Sequence, residues 1–189
     1  MYINDIHLQK INQISEQIVE LQRKKQEVWI EFVLFSPHWW IQIGLTILPW
    51  LAWFMLRRKE SQNRMLFVAF FAILIASILD FIGVRLGLWR YYFEPIPFLP
   101  AFIPWDMTLV PVIIISLIAY KRHIKPWIKA LVFAALTAFV AEPIFEYFHF
   151  YQEIHWSSFY SFFIYIIIYL LCHKLSTLKH FDPLPTKEK

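Results

Sequence analysis

Five long apolar runs occupy most of the chain after residue 38, and polar or basic segments separate them. A membrane-spanning helix needs about 20 mostly apolar residues. The runs that reach or approach this length are residues 39–56, 65–89, 107–120, 126–148 and 159–172. The last run is short unless its helix also includes Ser157 and Ser158. The pattern predicts an all-α fold, an integral membrane bundle of about five transmembrane helices.

Basic residues are concentrated in every second connection between these runs, which is typical of cytoplasmic segments. The other connections, residues 90–106 and 149–158, contain Arg90 as their single Lys or Arg. The bias predicts a cell-membrane protein with its amino terminus outside and its carboxyl terminus in the cytoplasm. The predicted cytoplasmic residues are Arg57, Arg58, Lys59, Arg64, Lys121, Arg122, Lys125, Lys129, Lys174, Lys179, Lys187 and Lys189. Tryptophans at predicted span ends fit the aromatic belt of an interface; they are Trp39, Trp40, Trp89, Trp105, Trp127 and Trp156.

The two ends of the chain have different patterns from the bundle at 38–174. Residues 1–37 predict an amphipathic helix, because apolar residues recur every three or four positions. This stripe consists of Ile11, Ile14, Ile18, Leu21 and Val28. It would pack on the membrane surface or the spans, or form a coiled coil with a second copy or another membrane partner. Residues 175–189 predict a short disordered cytoplasmic tail.

Composition supports the membrane interpretation. The 189 residues are 59% hydrophobic, 20% aromatic and only 17% charged, whereas soluble domains carry about 25% charged residues. This excludes a disordered chain, a collagen-like fibre and a disulfide framework, and Cys172 is the single cysteine. The net charge of +4 is dispersed at the ends of the runs, which favours membrane lipids over nucleic acid as partners. No cofactor is predicted.

Acidic residues inside the apolar runs are the first candidates for chemistry, because a charge in mid-bilayer costs at least about 2.5 kcal/mol. Asp80 and Glu142 lie at similar depths in the second and fourth runs, towards the predicted outer side. Glu146 follows Glu142 by one helical turn, and Asp106 begins the third run. These four are the candidate catalytic acids. As alternatives, Asp80 would form a buried ion pair with Arg85, or the two glutamates would pair with Tyr or His donors.

Further residues of the two outer connections are candidate binding residues around the acids. They are Trp89, Tyr92, Glu94, Trp105, Tyr147, His149, His155 and Trp156. The connection 91–106 is apolar and contains four prolines, so it predicts a re-entrant or interfacial lid. His149, Glu153 and His155 do not form a recognised metal-ligand set, and no metal is predicted.

Glycines in the second run and a proline in the fourth run lie close to the candidate acids in the sequence. Gly83 and Gly87 lie on one face with Asp80, which predicts the close approach of another helix or a ligand. Pro143 predicts a kink beside Glu142, because it cannot donate a backbone hydrogen bond.

Several of these motifs resemble known families. With Asp80, Gly83, Gly87 and Trp89, then Pro104-Trp105-Asp106, Glu142-Pro143 and Trp156, the chain resembles an uncharacterised family of small multi-pass membrane proteins of Gram-positive bacteria. The resemblance covers nearly all spans and implies a multi-pass fold in the cell membrane. A more distant similarity is to lycopene-cyclase-type membrane domains, in which an Asp, a Gly and a Trp precede a proline followed by two acids. Here Pro104-Trp105-Asp106 replaces that signature, so one carboxyl group is missing.

Three functions follow from these patterns. The first is a non-enzymatic or auxiliary membrane component with an acid-lined pocket in the outer leaflet. The second is a membrane enzyme that acts on an isoprenoid or other lipid by acid catalysis, as a cyclase does. The third is proton-coupled transport through Asp80 and Glu142.

Overall fold

The computed structural model describes residues 5–57, 61–99 and 101–178. Three α-helices come first: α1 (Asp5–Phe32), α2 (Pro37–Leu56) and α3 (Gln62–Arg85). A short strand, β1 (Trp89–Tyr91), leads to a π-helical segment (Ile103–Leu109) that continues into α4 (Val110–Ala119). Then follow α5 (Pro126–Leu136), a π-helical turn (Thr137–Ala141) and α6 (Glu142–Tyr147), and finally β2 (Tyr151–Glu153) and α7 (Ser158–Ser176).

The described residues form a helical bundle of a membrane protein. Four helices are long and apolar enough to cross a membrane: Pro37–Leu56, Gln62–Arg85, Pro126–Tyr147 and Ser158–Ser176. The sequence predicted about five such helices, whereas the described residues contain four. The third predicted span is the shorter apolar helix Ile103–Ala119, which begins four residues before the predicted start at 107.

The core of the bundle lies where α3 packs against α4 and α7, and α7 packs against α5. Alanines on the buried face of α3, including Ala69, Ala72 and Ala76, let the neighbouring helices approach closely. The outer faces stay apolar and exposed, as at Met55 and Phe70. A bundle that is apolar both inside and outside suits a lipid solvent.

The connections after α3 and before α7 are joined by an antiparallel ribbon, in which Trp89 pairs with Glu153 and Tyr91 with Tyr151. We call this side of the bundle the ribbon end. We call the opposite side, where α3 begins and α4 ends, the basic end. The predicted second span included Trp89, but α3 ends at Arg85 because Gly87, with φ +69°, turns the chain into the ribbon. The sequence predicted an all-α fold and did not predict these two short strands.

Helix α1 forms where the apolar periodicity predicts it. It buries no residue, and its apolar stripe is exposed, with Ile14 at 56%. Near its end, Trp29 and Lys25 contact Glu94 of the connection after β1. The predicted association of the stripe with a membrane surface or a second chain stays a prediction.

The carboxyl-terminal boundary differs from the predicted one. Helix α7 extends to Ser176, two residues into the predicted tail at 175–189, and the tail from residue 179 on lies outside the described residues. The predicted cytoplasmic Arg58, Lys59, Lys179, Lys187 and Lys189 lie outside the described residues.

Candidate functional site

Three acidic side chains from three different elements line one pocket at the ribbon end. Asp80 comes from α3, Asp106 from the π-helical segment and Glu142 from the start of α6. They are buried, with 6%, 4% and 6% of their surface exposed. The structure therefore brings together three of the four candidate acids.

Asp80 is held by donors from the ribbon and from the backbone just before the π-helical segment. Its Oδ1 accepts from the indole Nε1 of Trp89 at 2.8 Å and from the hydroxyl of Tyr91 at 2.6 Å. Its Oδ2 accepts from the backbone N–H of Phe102 at 3.2 Å. These donors stabilise a buried carboxyl group without a basic partner.

Asp106 lies beside Asp80 and shares a donor with it. The backbone N–H of Phe102 also donates to Asp106 Oδ2 at 2.9 Å, so one N–H joins the two carboxyl groups. Two negative carboxylates that share one donor repel each other strongly in a buried site. The arrangement therefore suits a pair of carboxyl groups that holds one proton between them.

Glu142 ends a short chain of hydrogen bonds that crosses the pocket. The indole of Trp105 donates to the hydroxyl oxygen of Tyr165 at 2.8 Å, and this hydroxyl donates to Glu142 Oε1 at 3.0 Å. The other oxygen, Oε2, is buried and makes no hydrogen bond of normal geometry, with the hydroxyl of Ser161 as its polar neighbour in the pocket. A buried polar atom without such a bond is costly, so this oxygen is open to a proton or to a bound group.

Both π-helical segments of the described chain place an acid in the pocket. The segment Ile103–Leu109 contains Asp106, and the turn Thr137–Ala141 directly precedes Glu142. A π-helical turn widens the helix and rotates the residues after it, and such turns are frequent at functional sites. The irregularity predicted beside Pro143 is present as this turn.

Gly83 provides the space that Trp89 needs to reach Asp80. A Cβ atom at Gly83 would lie 2.0 Å from Trp89 Cη2 and 2.1 Å from Cζ2. The close approach predicted at this face is therefore made by the chain's own indole, rather than by another helix or a ligand.

The predicted ion pair between Asp80 and Arg85 is wrong. The guanidinium carbon of Arg85 lies 5.2 Å from the centre of the Phe81 ring, on the exposed side of α3. Asp80 faces the bundle, where indole, hydroxyl and amide donors take the place of a cation.

The remaining candidate residues divide into two groups. Trp89, Trp105 and Trp156 line the pocket with the acids. Outside the lining are Glu146, Tyr92, Glu94, Tyr147, His149 and His155, of which all but Glu94 are exposed. Glu146, which the sequence places on one face with Glu142, is exposed and lies outside the pocket lining, to which α6 contributes Glu142 and Phe145.

Several pocket residues were not predicted from the sequence, namely Tyr91, Phe102, Phe145, Tyr151, Ser161 and Tyr165. Tyr165 had a usable signal, because a hydroxyl in the middle of an apolar run needs a partner. Tyr91 and Tyr151 had none, because the ribbon that pairs them is a tertiary feature.

Burial at the ribbon end shifts the pKa values of three ionisable groups that lie outside the long apolar helices. Burial, and next the nearby Asp80 and Asp106, raise the pKa of Tyr91 well above its ordinary value. Burial, and next the nearby Glu142, raise the pKa of Tyr151. Burial also raises the pKa of Glu94, against the opposing effect of Lys25. The two phenols therefore stay protonated, and that of Tyr91 donates to Asp80.

The pocket is narrow and mostly aromatic. Its volume is about 80 Å³, well below the roughly 300–1,000 Å³ of sites for drug-sized ligands. Leu79, 38% exposed, belongs to the lining together with the half-buried Ile164 of α7. The pocket therefore reaches the lipid-facing surface between α3 and α7. It suits the end of an apolar chain or a small head group.

Within residues 5–57, 61–99 and 101–178, no three His, Cys, Asp or Glu side chains are grouped so that they could hold a metal ion.

Fold and pocket together define the class of protein, an α-helical membrane protein with a carboxyl and aromatic pocket at one end. Comparison with protein-family models, curated proteins and solved structures finds no match to the chain. The resemblances noted in the sequence therefore stay predictions.

Proposed function

We propose that the chain crosses the cell membrane five times, with the ribbon end outside and the basic end in the cytoplasm. The π-helical segment and α4, of 7 and 10 residues, extend about 25 Å together. This is close to the thinner hydrocarbon cores of about 27 Å. Lys and Arg residues of the connections between spans lie mainly at the basic end, which supports the orientation.

We further propose that the pocket is the active site of a membrane enzyme that acts on an unsaturated lipid, such as an isoprenoid, by acid catalysis. The observation that carries this proposal is Glu142 Oε2, a buried carboxyl oxygen without a hydrogen bond of normal geometry in an aromatic pocket. A structural carboxyl group would have its oxygens satisfied, as Asp80 has. Glu142 is therefore the group available to a substrate.

The chemistry that fits is proton transfer to a carbon–carbon double bond. Protonated Glu142 gives its proton to one alkene carbon, the π electrons form the new C–H bond, and the other carbon becomes a cation. A second double bond of the same lipid attacks this cation and closes a ring. Loss of a proton to a carboxylate then restores a double bond, so the product is an isomer of the substrate and no further reactant is needed.

The pocket residues have distinct roles in this scheme. Trp89, Trp105 and Trp156 offer ring faces, which attract a cation when they are desolvated. Tyr165 is a positioning residue, because its hydroxyl orients Glu142 and is itself held by Trp105. The Asp80–Asp106 pair is a proton acceptor close to the reacting end of the chain.

The test is a lipid comparison between cells that express wild type, Glu142→Gln or Glu146→Gln at equal membrane levels. Chromatographic retention is recorded together with mass, because cyclisation leaves the mass unchanged. We expect a lipid that appears with wild type and Glu146→Gln and falls about 100-fold or more with Glu142→Gln, since a general acid contributes at least this factor. Glu146 is a matched control, because it is the exposed glutamate of the same helix.

Identical lipid profiles for all three proteins would overturn the enzyme proposal. The second candidate, a non-enzymatic membrane component, would then be favoured by the structural role of Asp80. That carboxyl group holds Trp89 and Tyr91 of the ribbon and the backbone at Phe102.

A further inference from the structure

A second cavity opens at the basic end, away from the acid pocket. It has a volume of about 750 Å³, within the range of small-molecule sites. Its lining comes from the start of α3, the end of α4 and the connection after it, the first turn of α5 and the last turn of α7.

Four basic side chains from these four elements line the cavity: Arg64, Arg122, Lys129 and His173. Hydroxyl side chains of Ser61, Ser176 and Thr177 complete its polar part, and no acidic residue belongs to the described lining. Met65 and Ile118, both buried, form an apolar part that faces the bundle. The cavity therefore combines a cationic rim with an apolar floor.

Two of the cations are fixed by backbone contacts. Lys129 Nζ donates to the carbonyl oxygens of Leu117, at 2.7 Å, and Tyr120 at the end of α4. Arg64 Nη1 donates to the carbonyl oxygen of Ser176 at 3.3 Å. These bonds hold the two cations in place beside the cavity. Arg122, which is exposed on its connection, is the cation that a substitution can remove at the least structural cost.

We propose that this cavity binds a phosphate group at the cytoplasmic face of the membrane. Guanidinium, ammonium, imidazole and hydroxyl groups are the donors that phosphate oxygens accept. Basic pockets between helices at this face suit the head groups of anionic lipids. The apolar floor would accommodate the glycerol and upper acyl part of such a lipid, and a soluble phosphate compound would use the same donors.

The test uses the full chain, delipidated in detergent, and its Arg122→Gln and Lys125→Gln variants. Lys125 is the matched control, because it is exposed in the same connection, loses the same charge and lies outside the lining. One arm titrates phosphatidylglycerol against phosphatidylcholine and counts retained lipids by native mass spectrometry. The other arm titrates inorganic phosphate by calorimetry.

A lipid phosphate is indicated if phosphatidylglycerol is retained over phosphatidylcholine and its affinity falls about fivefold in Arg122→Gln but not in Lys125→Gln. A soluble phosphate compound is indicated if inorganic phosphate binds with the same dependence on Arg122. The proposal is overturned if Arg122→Gln and Lys125→Gln bind both probes equally, because the attraction would then depend only on net charge. None of these outcomes depends on Glu142 or on the function proposed for the acid pocket.

Discussion

At the residue scale, Asp80 connects three parts of the molecule through two oxygen atoms. Its donors come from β1 and from the backbone before the π-helical segment, while the residue itself belongs to α3. Loss of any one donor leaves part of a buried carboxyl group unsatisfied, which typically costs about 1–3 kcal/mol. The ribbon and the pocket therefore depend on the same side chain.

Substitution of Gly83 by alanine should separate Trp89 from Asp80. The added Cβ would overlap the Trp89 ring at 2.0 Å, and overpacking of this kind costs about 1–3 kcal/mol. We expect a lower melting temperature in detergent and a shifted tryptophan emission. Gly44→Ala is the control, because its nearest neighbour, Leu48 Cδ1, lies 3.8 Å from the added Cβ. Equal melting temperatures for the two variants would contradict this account.

Alkaline pH should weaken the fold through Tyr91. Its pKa is raised in the folded state, whereas an unfolded tyrosine titrates near pH 10. The stability is therefore complete below about pH 10 and is lost as the pH rises from there towards the folded pKa, by up to about 1.4 kcal/mol per pH unit.

The check is chemical unfolding in detergent between about pH 9 and 12. Tyr91→Phe should be less stable at neutral pH, because it loses the hydrogen bond to Asp80, but its alkaline loss should be shallower. Trp89→Phe removes the other donor to the same oxygen without removing a titrating group, so it should keep the wild-type slope. An unchanged slope in Tyr91→Phe would refute the assignment.

At the scale of elements, the two π-helical segments decide which side chains enter the pocket. Pro143 indicated an irregular helix beside Glu142, but neither the type of turn nor its rotation follows from one proline. Within α6 itself, Phe145 lines the pocket with Glu142, while Glu146 is exposed. Helix periodicity alone placed both glutamates on one face.

The attachment of α1 to the bundle should depend on Trp29. Its indole donates to the carbonyl oxygen of Glu94 at 2.7 Å, next to the ion pair between Lys25 and Glu94. Trp29→Phe removes one hydrogen bond worth about 1 kcal/mol, so we expect about fivefold faster tryptic cleavage in α1. Trp40→Phe, at an exposed indole, is the control. Equal cleavage rates in wild type and Trp29→Phe would show that α1 is held by other contacts.

At the scale of the whole molecule, the proposed five crossings place the ribbon end and the basic end on opposite sides of the membrane. Single cysteines at Ser15, His155 and His123 test this in a Cys172→Ser background, since all three positions are exposed. We expect an impermeant maleimide to label the first two in intact cells and the third only after permeabilisation. Labelling of the Ser15 and His123 positions but not of His155 in intact cells would contradict the crossing by Ile103–Ala119, because the next span would then carry His155 inside. Labelling of His123 alone would contradict the orientation.

Much of this architecture could be predicted from local patterns. Apolar runs fix the positions of helices because about 20 residues must cover the hydrocarbon core, and four of the five predicted spans are long apolar helices. A charge inside the membrane is costly, so Asp80 and Glu142 could be recognised from the sequence as unusual residues of the apolar runs. These properties depend on the chain and its solvent, so they can be recognised without knowing which helices are neighbours.

The contacts of the acids were decided only by the tertiary structure. Trp89 reaches Asp80 because Gly87 turns the chain and Gly83 leaves room, and Tyr165 reaches Glu142 from a helix 23 residues further along the chain. Hydrogen bonds act over about 3 Å, so they depend on how helices rotate and which loops pair. The sequence thus determined that the chain forms membrane helices with costly acids inside them. Packing determined that Asp80 is satisfied by its neighbours while Glu142 keeps one buried oxygen without a hydrogen bond of normal geometry.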